Sequence, residues 1–188
     1  MGPLSEEEKA GLIIDYAIDR EGVYGLEQLN IEKAVLWTFG KRIDQTQLFS
    51  ESFVNRLHHR MYGQIWKWGG TYRTSERNIG IEFYRIPQQL KVLLDDALYW
   101  YEHQTYNPVE LAIRFKHRLV SIHCYPNGNG RHSRLMADLI VEKLYSKKVF
   151  SWGGSSLVRD DEKRRLYIDA LRKADNGDFN DLTAFALS

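Results

Sequence analysis

His123–Arg134, reading HCYPNGNGRHSR, is the stretch on which the reading of this chain turns. Asn127-Gly128-Asn129-Gly130 places two glycines within four residues, so the backbone can take positive φ and come close to a ligand. A helix is expected from Arg131 to about Tyr145, with Met136, Leu139, Ile140 and Leu144 on its apolar side. The unpaired N–H groups and dipole of such a helix start attract anions. Arg131 and Arg134 stand three residues apart in its first turn, and arginine grips phosphate with a planar fork. Together these suit a di- or triphosphate better than a single carboxylate. His123 ends the preceding helix beside the same loop, where a histidine can take a proton from an incoming hydroxyl. Each piece alone is also an ordinary turn, a solvated arginine or a core histidine. The argument rests on finding all of them at this spacing.

Outward from the loop the pattern is helical. Upstream, Asn107-Pro108 is a cap and first-turn proline, opening a helix with Leu111, Phe115, Leu119 and Ile122 on one face. Pro87 opens another, carrying Leu90, Leu93, Leu94, Ala97, Leu98 and Tyr101. Ser50–Gly63 repeats Phe53, Leu57 and Met61 at helical spacing. A second helix is expected from about Gly25 to Phe39, and a first one after Ser5, with Glu6, Glu7 and Glu8 in the turn where negative charge suits the dipole. Helices are expected too over Arg159–Asp175 and Asn180–Leu187. Ile79, Ile81 and Phe83 alternate within Asn78–Arg85, the best strand signal present, and predict a short hairpin with Thr71–Thr74. The fold class is therefore mainly α, a helical bundle with one short β-hairpin.

Bulk composition narrows the function. A chain of 188 residues with 43% hydrophobic and 27% charged residues is long enough for one core without staples. Its formal net charge of +1 gives no case for a nucleic-acid or membrane surface, so any phosphate affinity must be local. Cys124 stands alone, no apolar run spans a bilayer, and MGPLSEEEKAG lacks signal-peptide order, so a cytoplasmic protein is expected. No repeat or low-complexity tract is found. His58 and His59 are adjacent and diverge on a helix, and neither HExxH nor CxxC occurs, so a histidine-based metal site is not expected.

HCYPNGNGRHSR resembles the signature of the Fic domain family, HPFxxGNGRxxR with an acid before the first glycine. His123, Gly128, Asn129, Gly130, Arg131 and Arg134 match it. FKHRLVSIH (Phe115–His123) resembles the lead-in helix, WGGTYRT with NIGIEFYR the flap hairpin, and RRLYIDALRKADNGDFNDLTAFA the C-terminal helices. The likeness covers roughly Phe49–Leu187 and is nearest to the subgroup called mobile mystery protein B. It implies one domain over residues 1–188, with N-terminal helices to about 48 and a Fic-type helical bundle over about 49–187.

The resemblance further implies a transferase moving AMP, or another nucleotide-derived phosphate group, from ATP to a hydroxyl of a target protein. His123 would be the catalytic base. Asn127, Gly128, Asn129, Gly130, Arg131 and Arg134 would bind the nucleotide. Ile79, Gly80 and Ile81 would lie in the flap that takes the target as an added strand. Mg²⁺ is implied as well, but Asn127 stands where the family has its acidic metal ligand, and an amide is the weaker ligand. That substitution keeps open a non-catalytic nucleotide-binding regulatory module, or a different reaction such as removal of AMP. Cys124 and Tyr125 replace the usual proline and phenylalanine; Cys124 reads as a small packed residue. The family's inhibitory pattern [S/T]xxxE[G/N] has its nearest match at Ala17–Gly22, AIDREG, where Glu21 and Gly22 fit and Ala17 does not.

Overall fold

Side chains that cap helix ends set most of the element boundaries. The computed structural model describes residues 4–14, 19–154 and 161–188. Ser5 closes a capping box with Glu8 and starts α1, Glu6–Gly11. Asp19 accepts the Gly22 N–H at 2.8 Å and starts α2, Arg20–Thr38. This helix begins earlier than the expected Gly25. Gly22 and Gly25 each cost only about 1 kcal/mol in a helix, and packing of α2 on the core outweighs them. Asp44 and Gln47 form a second capping box around the short α3, Gln45–Leu48, which apolar periodicity alone did not reveal. Ser50 caps α4, Glu51–Tyr62. Then come a 3₁₀ turn at Phe83–Arg85, α5 (Ile86–Glu102) and α6 (Pro108–Ile122), the last capped by Asn107.

After the loop, α7 runs Asn129–Leu139 and continues as a π turn over Ile140–Leu144. Its first turn lies two residues before the expected Arg131. The chain closes with α8 (Asp161–Asp175) and α9 (Asn180–Leu187). The expected start of α8 at Arg159 lies outside the described residues.

Helix α6 sits at the centre of the packing. Leu111, Phe115, Leu119 and Ile122 are buried, as their spacing predicted, with α5 and α7 flanking them. Helix α2 lies on α4, and α9 packs on both α8 and α6. The molecule is mainly helical, as expected. The hairpin is the correction. Among the described residues the sole β pairing is an isolated bridge between Leu12 and Trp66. Thr71–Thr74 and Asn78–Arg85 run as irregular chain ending in the 3₁₀ turn, because the Arg73 guanidinium takes the Ile81 carbonyl and its main-chain N–H goes to the Cys124 carbonyl, both groups that a ladder would need. No helix of the described residues is long and apolar enough to cross a membrane.

Candidate active site

Helix α6 ends on His123, whose backbone turns left-handed at φ 57° and ψ 59°. Few residues other than glycine take this conformation, which reverses the chain and turns the loop back toward α7. His123 is half-buried. Burial, with the nearby positive charge of Arg73 and Arg77, pushes its pKa down to about 4, and Nδ1 has no hydrogen-bond partner. The imidazole is therefore neutral at physiological pH and able to accept a proton.

The loop is held from below by side chains. Asn129 is 4% exposed; its Oδ1 accepts the Tyr125 N–H and its Nδ2 donates to the Tyr125 carbonyl. Tyr125 is buried, stacks on His58 at 3.6 Å, and donates its hydroxyl to Asn55 Oδ1 at 2.7 Å. Gly70 N–H donates to His58 Nδ1, which fixes the tautomer, so His58 Nε2 donates to the Asn127 carbonyl at 3.1 Å. Burial pushes His58 well below the ordinary histidine range, and it remains a neutral strut. Cys124 is fully buried, and burial pushes its thiol up to about 12, which suits a packed residue rather than a nucleophile.

Gly128 is the N-cap of α7 at φ 82°, and a Cβ there would lie 2.5 Å from the Tyr62 ring. Only glycine fits. Gly130, by contrast, is an ordinary first-turn residue with positive φ neither present nor needed, and a Cβ there would meet no protein atom within 4 Å. No side chain caps this end of α7. Its first-turn N–H groups therefore stand at the wall of a cleft of about 900 Å³ that Gly128, Asn129, Gly130, Arg131, Arg134 and His123 share.

The two arginines differ. Arg131 Nη2 is held at 2.7 Å by Glu27 of α2, a glutamate only 5% exposed whose other oxygen accepts the Trp66 indole N–H at 2.7 Å. Arg131 Nη1 is buried with no partner, as is the hydroxyl of Tyr62, whose ring lies beneath the same guanidinium. Among the described residues Arg134 lies over the face of Tyr167, at 5.6 Å, and its charge acts on the buried Asp138 without an ion pair to it. It is the freer cation for an anionic ligand.

Every residue expected to bind the nucleotide thus borders the one cleft, together with Ile79, Gly80 and Ile81 of the flap. The roles divide, however. The Asn129 amide is committed to Tyr125, leaving its main-chain N–H for a ligand. Asn127 Oδ1 accepts the Gly128 N–H at 2.7 Å, and no group of three or more His, Cys, Asp or Glu converges among the described residues. The residues present do not make a carboxylate seat for a divalent cation. Glu21 is exposed and does not line the cleft, and Ala17 and Ile18 lie outside the described residues. Sequence reasoning missed Glu27 and Arg73. Glu27 lies far upstream on a helix whose sequence signal is its apolar face, and Arg73 sits in WGGTYRT, where nothing in the local pattern marks it as buried.

A family model described as Fic/DOC family matches residues 48–141, half of the chain. The chain belongs to the Fic/DOC family. Among curated relatives, the protein adenylyltransferase Fic of Aedes aegypti is 23% identical over 163 residues, covering 85% of this chain and 31% of that protein. The Drosophila mojavensis protein of the same name is 26% identical over 136 residues, 70% of this chain and 26% of the relative. The chain therefore spans about a third of the length of such relatives. Among solved structures, Fic-1 from C. elegans superposes with a TM-score of 0.70 at 21% identity, over 93% of this chain and 50% of that one. BepC from Bartonella tribocorum, solved with bound AMPPNP, gives 0.66 at 15% identity, over 89% and 85%. At these identities the structural likeness speaks for a shared Fic fold.

Proposed function

We propose that this Fic domain transfers AMP from ATP to a hydroxyl side chain of a target protein. The observation that carries the reading is one cleft that holds a neutral histidine, an uncapped helix N-terminus and the weakly engaged Arg134. ATP would seat its phosphates on the first-turn N–H groups of α7 and on Arg134, with Arg131 Nη1 and the Tyr62 hydroxyl as further buried donors. Beyond Arg134 the cleft continues along Tyr167, Ile168 and Leu171 of α8, an apolar wall suited to a nucleobase. The target chain would lie against Ile79–Ile81.

In the reaction, the target oxygen bonds to the α-phosphorus while its proton passes to His123. The bond from that phosphorus to the bridging oxygen of pyrophosphate breaks, and pyrophosphate leaves with its charge held by Arg134 and the helix N–H groups. Mg²⁺, where it binds, would be held chiefly by the nucleotide phosphates, with the Asn127 amide a weaker ligand than a carboxylate. The cytoplasm, where ATP is abundant, is the setting we assign.

His123→Ala tests the assignment. Label from [α-³²P]ATP should fall by about 100-fold or more, the usual contribution of a positioned base, while calorimetry gives unchanged nucleotide affinity. Undiminished label in that variant would remove His123 from catalysis. Asn127 also favours a second reading, in which the domain binds nucleotide without transferring it. A large gain of transfer in Asn127→Asp with Mg²⁺ would support that reading for the natural protein. A panel of labelled nucleotides, scored by mass gained or lost on targets, separates both from removal of AMP or transfer of another phosphate group.

A further inference from the structure

Arg73 is buried at 2% exposure, yet among the described residues no buried carboxylate pairs with it. The acidic side chain paired with it among the described residues is Glu76, 3.7 Å away and 58% exposed. Burying a guanidinium without a close ion pair is costly unless hydrogen bonds replace its water. Carbonyls do so here. Nε donates to the His123 carbonyl at 2.7 Å, Nη1 to the Ser75 carbonyl at 3.0 Å, and Nη2 to the Ile81 carbonyl. The Arg73 main-chain N–H adds a bond to the Cys124 carbonyl at 2.9 Å.

Two strained places meet on this one side chain. His123 is left-handed, a conformation that persists only where its surroundings impose it. Gly80 has φ +95°, and a Cβ there would lie 2.6 Å from His123 Cβ and 2.9 Å from Arg73 Nη2. The flap therefore presses directly on the histidine, and Arg73 ties both together. A lysine could reach one of the three carbonyls, whereas the planar fork reaches all three.

We propose that Arg73 is a positioning residue that locks the His123 main chain and the Ser75–Ile81 flap in one register, so that base and target edge face each other. The inference rests on the transferase reading for its purpose, and on geometry alone for its mechanism. Its consequence is coupling: loosening the flap moves His123, and loosening His123 frees the flap.

The test is Arg73→Lys in the full chain, read by hydrogen exchange over residues 75–82 and by the His123 Cε1–H resonance. Flap amides should exchange at least about tenfold faster, the effect of losing a charge-assisted hydrogen bond, and the His123 resonance should shift at the same time. Target KM should rise and kcat fall, with nucleotide affinity unchanged. If Arg73→Lys does not fold, Gly80→Ala decides by the same two readouts, since its Cβ drives the flap off both residues. A loosened flap with an unmoved His123 resonance, or no loosening at all, overturns the proposal. Exchange and resonance need no substrate, so absence of transfer in the natural protein would sink the activity and leave this result standing.

Discussion

At neutral pH His123 carries no proton, and the reason is local. Burial and the guanidinium groups of Arg73 and Arg77 oppose the imidazolium, so its pKa falls to about 4. Bound phosphates would supply the opposite charge. A proton-detected NMR titration should therefore give a His123 midpoint near 4 in the free protein and a higher one with nucleotide present. A midpoint at the ordinary value of about 6.5 in the free protein would contradict the burial seen here. Glu27 poses a second question at this scale. It stands outside the family-matched span, yet it holds one arm of Arg131 and the Trp66 indole in the interior. Removing one partner of a buried pair strands the other. Glu27→Ala should lower stability by roughly 3 kcal/mol in urea unfolding. Glu27→Gln, which keeps an acceptor for Trp66, should lose less. Equal losses would mean that the missing charge, and not the acceptor for Trp66, carries the whole cost.

Among the elements, the start of α7 offers the sharpest contrast between neighbours. Asn129→Ala would leave the buried Tyr125 N–H and carbonyl unpaired, a loss of about 1–3 kcal/mol. Gly130→Ala should do the reverse. The position is helical and open, so alanine should add about 0.5–1 kcal/mol, while its methyl group intrudes on the cleft and weakens nucleotide binding. Paired melting curves and calorimetry on these two variants check both signs, and a destabilised Gly130→Ala would refute the open geometry. Elements with caps and a full apolar stripe, such as α4 and α6, could be read from sequence because local and tertiary preferences agree there. The flap could not. Its alternation is real, but Ile79 is 64% exposed and both Ile79 and Ile81 line the cleft, so the pattern marks a cleft wall rather than a ladder. The turn into α7 with its uncapped start was legible because backbone chemistry writes it in consecutive residues. Glu27 and Arg73 were not, because their partners lie 104 and 50 positions away in the chain.

For the molecule as a whole, the buried titratable groups set the response to acid, and they act in opposite directions. His132 is fully buried and pushed down to about 4, with Nε2 against the Val54 carbonyl; His58, beside it, is also pushed well below its usual value. Unfolding releases both to titrate near 6.5, so the stability they contribute is present above that pH and is lost as pH falls toward 4. Asp138 runs the other way. Burial raises it to about 7, even though it accepts the Trp152 indole N–H and the Phe150 N–H. The native state then takes up a proton that the unfolded chain, near 3.9, does not, and stability from Asp138 grows as pH falls through 7. His123, also held near 4, acts in the same direction, so three histidines outweigh one aspartate and the melting temperature should drop between pH 7 and 4.5. Asp138→Asn separates the terms. It keeps an oxygen for both donors and removes the buried charge, so it should melt higher than the natural protein at pH 8, match it near pH 5, and fall more steeply in between. Parallel melting profiles for the two proteins over that range would show that Asp138 does not titrate inside the fold.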